Sequence, residues 1–115
     1  MGDVSLHFSR SEFDSHDGAI ANPSPELLVA LEKLRALNGG KPLRIVSGYR
    51  SPAWNRHVGG ATDSQHLHNR AADIPSGYAS IDQAVSAGFT GIGWCGAWVV
   101  HVDVRPGRRV TFRDC

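Results

Sequence analysis

The residues from Ser47 to Asp73 form the part of this chain that is richest in side chains able to do chemistry. Within this stretch, His66 and Asp73 offer one nitrogen ligand and one hard oxygen ligand, a mixture that catalytic zinc sites often use. The segment between them is too long for one helical turn. We therefore expect a loop that brings His66 back toward a short strand carrying Asp73.

A third ligand has to come from elsewhere, and the segment from Ala97 to Val104 offers His101. The alternation of this segment predicts a strand with Val100, Val102 and Val104 on one face. His101, Asp103 and Arg105 then lie on the other face, toward a cleft. Two histidines and one carboxylate would leave a fourth position for water, which is typical of catalytic rather than structural zinc.

The pattern of the stretch is more specific than a lone histidine and aspartate. It contains Ser47-Gly48-Tyr49-Arg50-Ser51, Asn55, Val58-Gly59-Gly60-Ala61, Ser64, His66, Ala71 and Asp73, and His101-Val102-Asp103-Val104-Arg105 follows later. It resembles the zinc D-Ala-D-Ala carboxypeptidases and related peptidoglycan endopeptidases, whose fold is shared with the hedgehog signalling domain. The resemblance extends from roughly His7 to Arg105. One departure is Asn69, where that family usually has glycine, although asparagine tolerates a left-handed backbone.

The resemblance implies a Zn²⁺ cofactor held by His66, Asp73 and His101. It also places Arg50 in the active site, where a planar fork of donors could hold a substrate carboxylate or assist a carbonyl. The alternative for Arg50 is a structural ion pair. We further expect Asp63 or Ser64 to help fix the approach to His66. Ser64 is also expected to bind the substrate, and Tyr49 and Trp94 to line its groove.

The general base is the open question of this site. Asp103 shares a strand face with His101, so it is a candidate base or a residue that orients the histidine. Related enzymes often place an acid three positions before the third ligand, but that position here is Trp98. Asp63 or a loop residue is the alternative base. We expect His68 to support a ligand or to be solvent-exposed, and His57 is a weaker candidate.

The pattern of apolar and capping residues predicts a small α+β domain that spans residues 1–115, with a mainly antiparallel sheet and two or three packed helices. Helices are expected after the capping residues Ser24, Ser51 and Ser80, with ends near Asn38, Val58 and Gly88. Strands are expected at 43–47, 71–74, 97–104 and 109–112. The glycine-rich segment 89–96 is expected to be a turn-heavy approach to the last long strand.

Composition limits the possible partners. The net charge is +1 with scattered basic residues, which disfavours nucleic acid. No apolar run is long enough to span a membrane, and the N-terminal residues lack a signal-peptide pattern. The lack of a signal-peptide pattern suits a phage-type lysis enzyme, a virion component or a trimmed secreted protein, and we expect a monomer.

Two cysteines are too few for a disulfide framework, so we expect Cys95 and Cys115 to be free thiols, although their pairing could add about 3 kcal/mol.

The function favoured by these residues is a zinc metallopeptidase that hydrolyses amide bonds in peptidoglycan stem peptides, as a D,D-carboxypeptidase or an endopeptidase of the bacterial wall. The alternative is a zinc-bearing binding module without catalysis. A weaker alternative is a metal-free structural component of a virion. The presence of a carboxylate near the open position of the metal separates the first two.

Overall fold

The structure is a computed structural model, which describes residues 2–115. Three α-helices form where the capping residues predict them: α1 (Pro25–Leu37), α2 (Pro52–His57) and α3 (Ile81–Ala87). The Ser24, Ser51 and Ser80 hydroxyls each accept a hydrogen bond from a backbone N–H in the first turn that follows. These hydroxyls satisfy amide donors that the helix itself cannot, so the predicted helix starts are confirmed. Two short 3-10 turns lie at Arg10–Phe13 and Gln65–His68.

Four strands form one mixed sheet: β1 (Ala71–Asp73), β2 (Gly91–Cys95), β3 (Trp98–Asp103) and β4 (Val110–Arg113). Their order across the sheet is β1-β3-β2-β4. The β1–β3 and β2–β3 pairs are antiparallel, and only β2–β4 is parallel. The predicted fold class, an α+β arrangement with a mainly antiparallel sheet, is therefore confirmed.

The core lies between α1, α3 and one face of the sheet. Leu27, Leu31 and Leu34 of α1 are almost completely buried, together with Ile92 of β2 and Val102 of β3. The leucine stripe of α1 is thus a packing surface, as its helical spacing predicts. Among residues 2–115, none of the helices combines the length and apolar character that crossing a bilayer requires.

The expectation of a turn-heavy segment at 89–96 is wrong, because Gly91–Cys95 is a central strand paired on both sides. Its glycines are needed because side chains of neighbouring strands come close to its backbone, not because the chain turns there. A β-carbon at Gly91 would lie 2.1 Å from the Asp103 carboxylate oxygens, and one at Gly93 would lie 2.9 Å from the Phe112 ring. Glycine is required where neighbouring side chains cross a strand so closely.

The expected strand at 43–47 is also absent. Only an isolated bridge joins Ser47 to Asp73, with the Val46 N–H donating to the Asp73 carbonyl at 2.9 Å and the Asp73 N–H donating to the Ser47 carbonyl at 2.7 Å. Leu43 and Ile45 are nevertheless buried. The apolar pattern therefore reported burial correctly, while the ladder of hydrogen bonds that defines a strand is not made.

The predicted alternation of β3 breaks at Val100. The partner of Gly93 is His101, but the partner of Trp94 is Val99, so Val100 is the extra residue of a β-bulge. Val99 takes the place in the core that the alternation gives to Val100, which is only half-buried and lines a cleft. His101 and Asp103 keep a common face beyond the bulge, since their side chains are hydrogen-bonded.

The expectation of two free thiols is wrong, because Cys95 and Cys115 form a disulfide with their α-carbons 5.0 Å apart. Parallel pairing of β2 with β4 places Trp94 opposite Arg113. The residues just beyond this pair are therefore neighbours in space, although they are 20 positions apart in the chain. The disulfide fixes the end of β4 to the end of β2.

Candidate metal centre

Three elements bring His66, Asp73 and His101 together. His66 lies in the 3-10 turn Gln65–His68, Asp73 ends β1, and His101 lies in β3 directly opposite Asp73. One ligand atom from each residue lies within 4.8 Å of the other two. The Asp73 Oδ1 atom is 3.2 Å from His66 Nε2 and 3.1 Å from His101 Nδ1. The three predicted ligands therefore converge on one point, where a single ion can replace the contacts among them.

The second nitrogen of each histidine has its own acceptor. His66 Nδ1 donates to the Gly48 carbonyl at 2.6 Å, and His101 Nε2 donates to Asp103 Oδ2 at 2.8 Å. Because a carbonyl and a carboxylate only accept, each of these two nitrogens carries a proton as the donor of its hydrogen bond. His66 Nε2 and His101 Nδ1 point at Asp73, and a metal ion bound between them would take their lone pairs in place of a proton. This tautomer arrangement is the one that metal-ligating histidines use, so the donor set fits zinc.

The turn that carries His66 is closed by Asn69. Asn69 has a left-handed backbone with φ of 59°, and its side-chain oxygen accepts from the Asn22 N–H at 2.7 Å. Its carbonyl accepts from the Ser24 N–H at 2.9 Å. The departure from glycine therefore leaves the turn intact and adds an amide that ties it to the chain entering α1.

Asp103 is completely buried behind His101. Arg105 donates from Nε to Oδ1 at 2.9 Å and from Nη2 to Oδ2 at 2.6 Å, and its backbone N–H donates to Oδ1 at 3.0 Å. Asp103 thus contacts the ring nitrogen of His101 that points away from Asp73. Of the two roles expected for Asp103, this geometry favours orienting the histidine over acting as the general base.

Charges within the centre shift two titrations strongly. Burial alone would raise the pKa of the Asp73 carboxyl, but hydrogen bonds from His101 and His66 outweigh burial and hold that pKa far below its ordinary value. Burial would likewise lower the pKa of His101, but its contacts with Asp103 and Asp73 raise it to about 9. A proton on His101 therefore occupies the position that a metal ion would take.

A cleft of about 580 Å³ opens over the three ligands. Arg50 lines it with Nη2 at 3.5 Å from Asp73 Oδ2 and Nη1 at 3.4 Å from the Asn55 side-chain oxygen. Ser64 also lines the cleft, and its hydroxyl accepts from the His66 N–H at 3.2 Å. Arg50 therefore makes an ion pair with a ligand carboxylate and also faces the cleft, where its role toward a substrate stays a prediction.

Other residues named by the sequence lie away from the cleft lining. Tyr49 packs against the core, with its backbone N–H bound to the Phe13 carbonyl, and Trp94 lies on β2 outside the lining. His68 pairs with the exposed Asp63 at 3.0 Å, and His57 stacks on Trp54 with ring centroids 5.0 Å apart. The two aromatic groove residues stay predictions that the cleft geometry does not favour.

Phe112 and Asp114 are among the cleft side chains that the sequence did not single out. The Phe112 ring lies 5.5 Å from the His101 ring and 5.6 Å from the Arg105 guanidinium carbon. Both residues belong to β4 or follow it directly, and β4 comes beside the ligands only through its pairing with β2. A paired Cys95 and Cys115 would have been the available signal, since it places this segment next to the central strands.

Two histidines and one carboxylate, each oriented and open to a cleft, define a metal centre of the kind that hydrolytic metalloenzymes use. The Peptidase M15 family profile matches residues 6–103, so the chain belongs to that family. The chain is also 33% identical over 94 residues to a zinc D-Ala-D-Ala carboxypeptidase of Streptomyces albus G. The match covers 76% of this chain and 37% of the relative, so the chain spans well under half of that protein.

We predict that Asp103→Asn weakens zinc binding by about 10- to 100-fold, because an amide keeps the shape but loses the charge that supports His101. Competition with a chromophoric chelator measures this affinity. Asp82→Asn, which removes an exposed carboxylate on α3, is the control and should bind zinc as the wild type does. Unchanged zinc affinity combined with lost turnover would instead indicate that Asp103 is the base.

The metal-free protein should lose stability as pH rises from about 6.5 to about 9. The folded state raises the pKa of His101, so it binds a proton that the unfolded chain releases first. The resulting stabilisation is fully present below pH 6.5, the pKa of His101 in the unfolded chain. It disappears as the pH rises through the pKa of His101 in the folded state, about 9. Urea unfolding in the presence of a chelator measures it. A free energy of unfolding that stays flat or rises over this range would contradict the protonated centre.

Proposed function

We propose that this chain is a zinc-dependent peptidase domain that hydrolyses an amide bond in the stem peptides of peptidoglycan. The observation that supports this most is the His66, Asp73 and His101 group, in which the second nitrogen of each histidine is hydrogen-bonded to Gly48 or Asp103. Membership of the Peptidase M15 family and likeness to a carboxypeptidase named for D-Ala-D-Ala support the substrate class. This substrate would place the site of action in the bacterial cell wall, as for a phage-type lytic enzyme.

The proposed roles follow from the geometry. A zinc ion held by the three ligands would supply a Lewis acid and lower the pKa of a bound water to near 7. Arg50 is 19% exposed and lies beside Asp73, so it can donate to a carbonyl or carboxylate oxygen of the substrate while keeping its ion pair. Ser64 fixes the backbone of the turn that presents His66. Asp103 and Arg105 hold the His101 ring in one orientation.

A second candidate function is a zinc-bearing binding module that does not catalyse. Trp98, which is 42% exposed, occupies the position where related enzymes often place an acid, and Asp103 lies behind His101, on the ring nitrogen that points away from Asp73. If no other carboxylate accepts the proton of the attacking water, the same cleft would bind a peptide without cutting it.

The test is mass spectrometry of muropeptides after purified wall material is incubated with the protein. We expect cross-links to be lost or terminal alanine to be released, and the masses identify which bond is cut. A chelator should stop the reaction and added zinc should restore it. His66→Ala, which removes one ligand, serves as the inactive control.

Unchanged muropeptides from several wall types, with one equivalent of zinc still bound, would contradict the peptidase and favour the binding module. Protein that holds no zinc even after reconstitution would overturn both the peptidase and the zinc-bearing binding module. A metal-free structural component of a virion would then be the remaining function.

A further inference from the structure

Amide hydrolysis needs a group that accepts a proton from the attacking water. Asp103 is buried behind His101, and Asp73 is used as a ligand. Within residues 2–115, the remaining carboxylates that line the cleft are Asp63 and Asp114. These two are therefore the candidates for the proton acceptor.

Asp63 is poorly held. Its side chain is 89% exposed, and its hydrogen-bond partner is His68, which is itself 43% exposed. His68 also lowers the pKa of Asp63 through its hydrogen bond. An exposed, solvated carboxylate of lowered basicity is a weak proton acceptor, because catalysis needs the acceptor fixed close to the water and basic enough to take its proton.

Asp114 is fixed on both sides along the chain. Its backbone N–H donates to the Trp94 carbonyl at 2.7 Å, which extends the pairing of β4 with β2 by one residue. The next residue, Cys115, is joined by the disulfide to Cys95 at the end of β2. The backbone of Asp114 is therefore held against a central strand, although its side chain is exposed to the cleft.

Gly93 brings Asp114 next to the third ligand. The position of a β-carbon on Gly93 lies 3.0 Å from the β-carbon of His101 and 3.1 Å from the β-carbon of Asp114. The β-carbons of His101 and Asp114 therefore flank Gly93 on the cleft wall, beside the Phe112 ring. Any residue larger than glycine at this position would push them apart.

We propose that Asp114 is the catalytic base of this peptidase, and that the Cys95–Cys115 disulfide holds it in place. The proposal rests on the proposed function. Water gives one proton to the Asp114 carboxylate as its oxygen bonds to the carbonyl carbon of the scissile amide. When the carbon–nitrogen bond then breaks, Asp114 gives that proton to the leaving amine nitrogen, and the carboxylate is restored.

The proposal makes activity dependent on the redox state of the disulfide. Reduction leaves Cys115 free to move away from β2, so Asp114 loses one of its two anchors. The zinc ligands do not depend on this anchor, because His66, Asp73 and His101 lie on other elements. Loss of turnover without loss of zinc is therefore the expected signature of reduction.

The first experiment compares Asp114→Asn with Asp63→Asn, which removes the same charge from the same cleft. We expect Asp114→Asn to keep one zinc equivalent and to lose turnover on muropeptides by roughly 100-fold or more. Asp63→Asn should lose far less, and Asp82→Asn, which removes an exposed carboxylate on α3 outside the cleft, should match the wild type. Full activity of Asp114→Asn, or a large loss in Asp63→Asn alone, would overturn the assignment.

A second measurement does not depend on turnover. A hydroxamic acid must give up a proton when it chelates a metal, so a nearby base strengthens its binding. Calorimetry with acetohydroxamate and the zinc-loaded proteins should show at least tenfold weaker binding by Asp114→Asn, a much smaller change for Asp63→Asn and no change for Asp82→Asn. If the wild type cuts no wall material, the proposed function fails, and this binding difference still decides the role of Asp114. Equal acetohydroxamate affinities of the wild type and Asp114→Asn would overturn the assignment of Asp114 as the base.

The role of the disulfide is tested by removing it from the wild type and from Asp114→Asn. Cys95→Ser/Cys115→Ser, or reduction by a phosphine, should lower turnover in the wild type while zinc content and the folded fraction stay constant. The same treatment should have little further effect on Asp114→Asn, since two changes that remove one function are not additive. Equal fold-losses in both backgrounds would show that the disulfide acts independently of Asp114.

Discussion

The antiparallel register between β1 and β3 is the constraint on which this centre depends. It sets Asp73 directly opposite His101 and leaves both side chains on the face toward which the 3-10 turn presents His66. A slip of one residue would turn His101 to the opposite face of the sheet and break the centre. The bulge at Val100 lies in the β2–β3 pair, and the residues of β3 that pair with β1 all lie beyond it.

A buried ion pair supports this register from behind. Asp103 is completely buried, and Arg105 and His101 occupy both of its oxygens, so its charge is compensated where water does not reach. A buried carboxylate without such partners would be strongly destabilising. Gly91 leaves the space that this carboxylate fills. Burying these charges costs desolvation free energy. The network fixes one orientation of the His101 ring, which is a requirement for binding a metal tightly.

Local signals account for the part of the molecule that the sequence predicted well. Serine caps mark the helix starts, and the motif around His66 and Asp73 names ligands that the structure brings together. The strand Gly91–Cys95 was missed because its glycines reflect side chains of neighbouring strands, which no local pattern contains. The disulfide and the cleft position of Asp114 depend on β4 pairing with β2, a contact between segments distant in sequence. Sequence patterns report periodicity and capping, whereas register, bulges and strand order arise only in the folded sheet.

The measurement that tests the central claim most directly is zinc X-ray absorption on the zinc-loaded wild type and on His66→Ala and His101→Ala. We predict two imidazole nitrogens at about 2.0–2.1 Å and at least one carboxylate oxygen at a similar distance in the wild type. Each variant that still binds zinc should show a single imidazole. A wild-type spectrum without two imidazoles, or variant spectra identical to it, would contradict the assignment of these ligands.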